Sequence, residues 1–115
     1  MIQVIQARKR YGVKYPDLYA PHGHANKKEF DCAQRAHQNT LESWPAVAAC
    51  AIVDGIVFPV TTAVCVGIWC VGRLMYIHGY SSGVPDKRQF GGMLAHVGDL
   101  PLLIMTFVAA KAVLA

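Results

Sequence analysis

Charge is scarce in this chain. Of its 115 residues, 16% are Asp, Glu, Lys or Arg, while 54% are hydrophobic. A soluble domain carries about 25% charged residues, so the composition points to a membrane. Several catalytic and binding signatures are also missing. Cys32, Cys50, Cys65 and Cys70 form no Cys-x-x-Cys pair, and three of them lie in apolar stretches where a thiol is a small buried side chain. There is no Ser/His/Asp set, no phosphate-binding glycine loop and no internal repeat. No basic run is interleaved with aromatics, which removes nucleic acid as a partner. His22-Gly-His24 is the one hint of a metal ligand, and two histidines in a glycine-bearing loop are a weak one, so no metal is called for. A signal peptide is missing too. Met1-Ile-Gln-Val-Ile is apolar but stops at Arg8-Lys9-Arg10, too short and without a small-residue cleavage site. Residues 1–10 read as the last turns of a first spanning helix that is otherwise missing, with a short exposed N-terminus as the alternative.

Long apolar runs dominate what is present. One runs from Trp44 to Phe58, interrupted by Asp54; a second runs from Val60 to Gly79, carrying Arg73 and His78; a third runs from Gly91 to Ala115, with His96, Asp99 and Lys111. A spanning helix needs roughly 20 residues, and the first run reaches that only if a polar helix from about Asp31 is continuous with it. The expectation is an all-α, membrane-spanning bundle in a single domain over 1–115, with spans near 31–58, 60–80 and 91–115. Arg8, Lys9, Arg10, Lys14, Lys27 and Lys28 cluster before the first full span, Lys87 and Arg88 lie between the second and third, and residues 58–62 hold no charge. By the positive-inside rule the two polar loops face the cytoplasm. The net charge of +4 then reflects juxtamembrane lysines and arginines, each of which has topology alone as its bland explanation.

The densest chemistry is Phe30-Asp-Cys-Ala-Gln-Arg-Ala-His-Gln-Asn-Thr-Leu-Glu42. On a helix Arg35, Asn39 and Glu42 stand at i, i+4 and i+7, within about 60° of one another. A cation, an amide and a carboxylate would share one face at the mouth of a membrane, where such groups pair with each other or serve a ligand. Arg73, Tyr76 and Tyr80 repeat the pattern on the next span. Taken alone they read as an interfacial aromatic belt with a snorkelling arginine; beside the first set they read as a second wall of a site, because an arginine fork takes a carboxylate and phenols donate. Asp54 is expected to be either an interfacial carboxylate near the far membrane surface or part of a site. Cys32 lies one turn before Arg35, as filler or near the same site.

Three blocks resemble the MAPEG family, the membrane-associated proteins of eicosanoid and glutathione metabolism, and within it the type 3 branch of the microsomal glutathione S-transferases. They are Ala7-Arg-Lys-Arg-Tyr-Gly-Val-Lys-Tyr-Pro16, the segment Phe30–Glu42, and Val71-Gly-Arg-Leu-Met-Tyr-Ile-His-Gly-Tyr80 followed by Gly83-Val-Pro-Asp-Lys-Arg88. The resemblance implies a four-helix bundle assembled as a homotrimer in the endoplasmic reticulum membrane, or alternatively the outer mitochondrial membrane. It implies glutathione as co-substrate, bound between subunits near the cytoplasmic side. On matching positions, Arg35, His37, Gln38, Asn39, Glu42, Arg73, Tyr76, Tyr80 and Lys9 are expected to bind glutathione. Arg8 is expected to assist the lipid substrate, and Lys87, or Arg88 one residue on, to hold the thiolate. The implied reactions are glutathione transfer to lipophilic electrophiles, including leukotriene C4 synthase-type conjugation, and reduction of lipid hydroperoxides. A non-catalytic lipid-binding member and an inactive truncated product are the alternatives.

Overall fold

Helix boundaries follow from local chemistry. In the computed structural model, which describes residues 2–115, four α-helices follow one another: α1 (Ile2–Tyr11), α2 (Lys27–Val57), α3 (Pro59–Tyr80) and α4 (Gln89–Leu114), with a 3-10 turn at Pro85–Arg88 before α4. Phe58 separates α2 from α3 because it precedes Pro59: the proline ring pushes its neighbour out of helical geometry, and Phe58 sits at φ −128°, ψ 58°. Its N–H still closes α2 on the Asp54 carbonyl at 2.6 Å. Pro59 then opens α3, at the one helical position where its missing donor costs nothing. Likewise Val84, extended before Pro85, ends the loop after α3.

Among the described residues, α2, α3 and α4 are each long and apolar enough to cross a membrane. At 1.5 Å per residue, α3 is about 33 Å long, close to the ~30 Å of a bilayer core. Their outer surfaces are apolar and exposed, as at Ile52, Ile56, Val60, Val64, Ile104 and Phe107. Lipid can cover such surfaces because the helices satisfy their own backbone groups.

The interior is built on close backbone approach. A Cβ on Gly72 would fall onto the Ala95 backbone, and one on Gly91 onto the backbone of Met75 and Tyr76. Small residues serve this purpose in membranes, where lipid is as apolar as leucine and packing must hold helices together. Around the contact, Val47, Cys65, Trp69, Ala95 and Leu102 form one buried cluster, and Trp44 packs on Trp69 at 5.8 Å between rings.

α2 begins at Lys27, four residues before the start expected near Asp31, because Asp31 holds the preceding loop instead of capping the helix. Its Oδ1 accepts from the Ala20 N–H at 3.0 Å, and its Oδ2 from Lys27 Nζ at 2.7 Å. Lys27 Nζ also donates to the Ala20 carbonyl at 2.6 Å. The loop therefore folds back, and Val13 and Ala20 are buried with Ala7, Phe30 and Ala33. At the opposite end of α2, Asp54 is fully buried, and neither carboxylate oxygen has a hydrogen-bond partner among the described residues. The carboxylate is thus shielded within the chain, as either an interfacial or a site aspartate could be.

Gly72→Ala should loosen the α3–α4 contact, since overpacking a close-packed site costs about 1–3 kcal/mol. Thermal unfolding in detergent reads this directly. A midpoint equal to that of the unsubstituted protein would mean that the helices separate freely at this point.

Candidate functional site

The stripe on α2 and the stripe on α3 face each other. Asn39 Nδ2 donates to the Tyr76 hydroxyl at 2.8 Å. One residue further along α2, Thr40 Oγ1 accepts from Arg73 Nη2 at 2.8 Å and donates to the Ala36 carbonyl at 3.0 Å. Arg73 also lies over the Tyr76 ring, 4.2 Å from its centroid. Tyr76 meets Tyr80 edge-on at 5.7 Å, and both phenols are buried. Two bonds thus tie the helices together at this level, and the cation–π contact, internal to α3, holds Arg73 in place for the second of them; a partly desolvated contact of this kind is worth about 1–2 kcal/mol.

Arg35 and Glu42 close the outer side. Arg35 Nη1 donates to Glu42 Oε1 at 3.1 Å, and both side chains are largely exposed. Such exposed pairs contribute only about 0–1 kcal/mol. A ligand carrying both an anionic and a cationic group can therefore separate them at little cost and meet each with its complement.

Beyond Arg35 the stripe opens into a groove of about 500 Å³, lined by Tyr19, Lys27, Lys28, Asp31, Cys32, Arg35 and Tyr80. The Tyr19 hydroxyl donates to Gln38 Oε1 and so pins the loop against α2. Arg88, from the 3-10 turn, lies 4.7 Å over the Tyr80 ring. Lys28 and Arg35 thus line a phenol-floored groove with positive charge, Arg88 adds a third cation over Tyr80 at its edge, and Arg73 lies two turns deeper on α3.

A profile of the MAPEG family matches residues 1–109. The chain belongs to the MAPEG family. Microsomal glutathione S-transferase 2 of Homo sapiens is 30% identical over 105 residues, which cover 90% of this chain and 66% of that protein. The chain therefore spans about two thirds of the length of this curated relative. The relative is a type 2 protein, whereas the motifs pointed to the type 3 branch.

The remaining residues expected of a MAPEG site lie elsewhere. Arg8 is stacked between the Tyr15 ring at 4.3 Å and the Phe30 ring at 5.1 Å, with Nη1 3.5 Å from the Val13 carbonyl. In the single chain it braces α1 against the loop. Lys9 is exposed on α1. His37 is half-buried, and two positions from Arg35 it falls about 160° around α2, on another face. Lys87 lines a separate recess with Leu74, Met75, His78 and Gly79. Of the adjacent basic pair, then, Arg88 reaches Tyr80 and Lys87 does not.

Lys28 was missed as a groove residue because it was counted only with the loop charges. Extending the stripe back two turns finds it: Lys28, Cys32, Arg35, Asn39 and Glu42 lie within about 80° on α2. Near the loop, His24 Nδ1 accepts from the Asn26 N–H at 3.1 Å and shapes the turn before α2.

Tyr76→Phe should remove the acceptor of Asn39 and lower stability by about 0.5–1.5 kcal/mol. Asn39→Ala should do the same, and the double variant should add little, because both remove one bond. A double-mutant cycle by thermal unfolding checks this; simple additivity would show that the two side chains act independently.

Proposed function

We propose that this chain binds glutathione in the groove between α2 and α3, and uses its thiolate against lipophilic electrophiles arriving from the bilayer. The observation that carries this reading is the groove rimmed by Lys28, Arg35 and Arg88 beside the exposed Arg35–Glu42 pair. Glutathione has two carboxylates, one ammonium group and one thiol. Arg35 with Lys28, and Arg73 deeper on α3, suit the two carboxylates, Glu42 suits the ammonium group, and Asn39 and the tyrosines supply polar contacts. Family membership and the name of the human relative support the same chemistry.

The thiol is assigned to Arg88. A free thiol has a pKa near 8.5, and an adjacent cation favours the thiolate. Arg88 stands over Tyr80 at the groove, whereas Lys87 opens onto another face. In transfer, sulfur bonds to the electrophilic carbon, the carbon–leaving-group bond breaks, and the leaving group takes a proton. In peroxide reduction, the thiolate attacks a peroxide oxygen, the O–O bond breaks and an alcohol leaves. A second glutathione then yields the disulfide and water. Type 3 character is supported by the motif Arg35-Ala-His-Gln-Asn39, and an endoplasmic reticulum location by the family resemblance.

A homotrimer accommodates the residues that the single chain leaves apart. Arg8, Lys9 and His37 lie away from Arg35, so they meet a glutathione only if a neighbouring copy presents its α1 and the other face of its α2 to this groove.

Glutathione binding to the detergent-purified chain, with ultraviolet difference absorbance for thiolate, tests the proposal. Arg35→Ala and Arg73→Ala should each weaken binding about tenfold or more, since a charge-assisted hydrogen bond is worth about 1.5–3 kcal/mol. Arg88→Ala should keep most binding and lose the thiolate signal near neutral pH, while Lys87→Ala keeps both. Unchanged affinity in both Arg35 and Arg73 variants would overturn the site. Absence of binding in the unsubstituted chain would favour a non-catalytic lipid-binding protein or an inactive truncated product.

A further inference from the structure

Lys87 has surroundings of its own, on the side of α3 turned away from the groove. It closes the top of a recess of about 520 Å³ whose other walls are Leu74, Met75, His78 and Gly79. Val71, Leu74, Met75 and His78 stand at i, i+3, i+4 and i+7, so they form one stripe along the helix. The stripe is exposed: 52% at Val71, 68% at Leu74 and 42% at Met75. His78 also borders a second recess, of about 440 Å³, where Arg10, Ser81 and Ser82 stand. Arg10, His78 and Lys87 make no ion pair among the described residues. A cationic rim thus lies directly above an apolar ridge, at the end of the bundle that carries the basic loops.

We infer that this rim holds one anionic phospholipid, with its phosphate against Lys87 and His78, Arg10 beyond His78, and an acyl chain along Met75, Leu74 and Val71. Basic residues just outside a spanning helix attract anionic headgroups roughly fivefold per charge, and long cationic side chains at helix ends reach naturally to that level. The apolar ridge decides between sources: free phosphate uses the cations and leaves Leu74 and Met75 uncovered. A second copy of the chain offers little complementary charge. Of seven acidic residues, Asp31, Glu42 and Asp99 already have basic or histidine partners and Asp54 is buried, which leaves Asp17, Glu29 and Asp86, the last beside Lys87 itself. This site requires none of the glutathione chemistry and stands or falls separately from it.

The test is native mass spectrometry of the full chain, released from micelles containing equal phosphatidylglycerol and phosphatidylcholine. The expected result is retained phosphatidylglycerol in clear excess. Lys87→Gln and Arg10→Gln should each reduce that excess roughly fivefold, and the double variant should abolish it. Lys14→Gln, a loop cation outside the lining of both recesses, should leave it intact, and circular dichroism equal to that of the unsubstituted chain shows that the rim variants still fold. Equal retention of both lipids would overturn the inference, as would an excess that survives the double variant. Loss of the excess in Lys14→Gln to the same degree would show diffuse attraction and also overturn it. A change in chain number on rim substitution, without lipid enrichment, would make the face an interface between copies instead.

Discussion

The backbone contact between α3 and the segment that follows it sets the register on which the site depends. Gly72 admits the Ala95 backbone, Gly91 sits against the Tyr76 backbone, and Gly79 admits the Lys87 carbonyl. Each contact is too close for a side chain, so together they fix where the turn Pro85–Arg88 lies along α3. With the Lys87 backbone held at Gly79, Lys87 lines the recess on the far side, and Arg88 turns back over Tyr80. Slipping this segment by one residue would exchange the two cations. The cation proposed to face the thiolate is therefore selected by backbone packing at Gly79, next to Tyr80, and not by its own side-chain chemistry.

That dependence explains which parts of the molecule could be read from sequence. Two membrane-length helices followed from long apolar runs and a third from joining a short run to the polar helix before it, while the facing stripes of Arg35, Asn39 and Glu42 and of Arg73, Tyr76 and Tyr80 followed from helical spacing. Both are local periodicities. Which of Lys87 and Arg88 reaches Tyr80 was not legible, because it rests on tertiary register. Asp31 looked like one more polar group in a rich segment, yet it ties the loop at Ala20 to the first turn of α2. Lys28 looked like a topology charge until the loop, folded down by Asp31, turned its helix face into a groove wall. Asp54 lies near a helix end in sequence, which suggested an interface or a site; that its carboxylate is fully buried within the chain was not legible there.

In a chain with so few charges, the way each one is held separates scaffold from site. Lys27 and Asp31 are an i, i+4 pair reinforced from both sides by the Ala20 N–H and carbonyl. Breaking that pair would strand backbone groups and release the loop, so it is costly to move. Arg35 and Glu42 have one bond between them, both are exposed, and no backbone group depends on either. Exposed pairs of this kind contribute about 0–1 kcal/mol, whereas each charge-assisted bond to a ligand contributes about 1.5–3 kcal/mol. The balance favours opening the pair around a zwitterion while the Lys27–Asp31 tie keeps the groove wall in place. Arg73 completes the division: held by Thr40 and stacked on Tyr76, it keeps its position whether or not the outer pair opens. A ligand then meets one preset cation and one adjustable pair, instead of two charges that must both be reorganised.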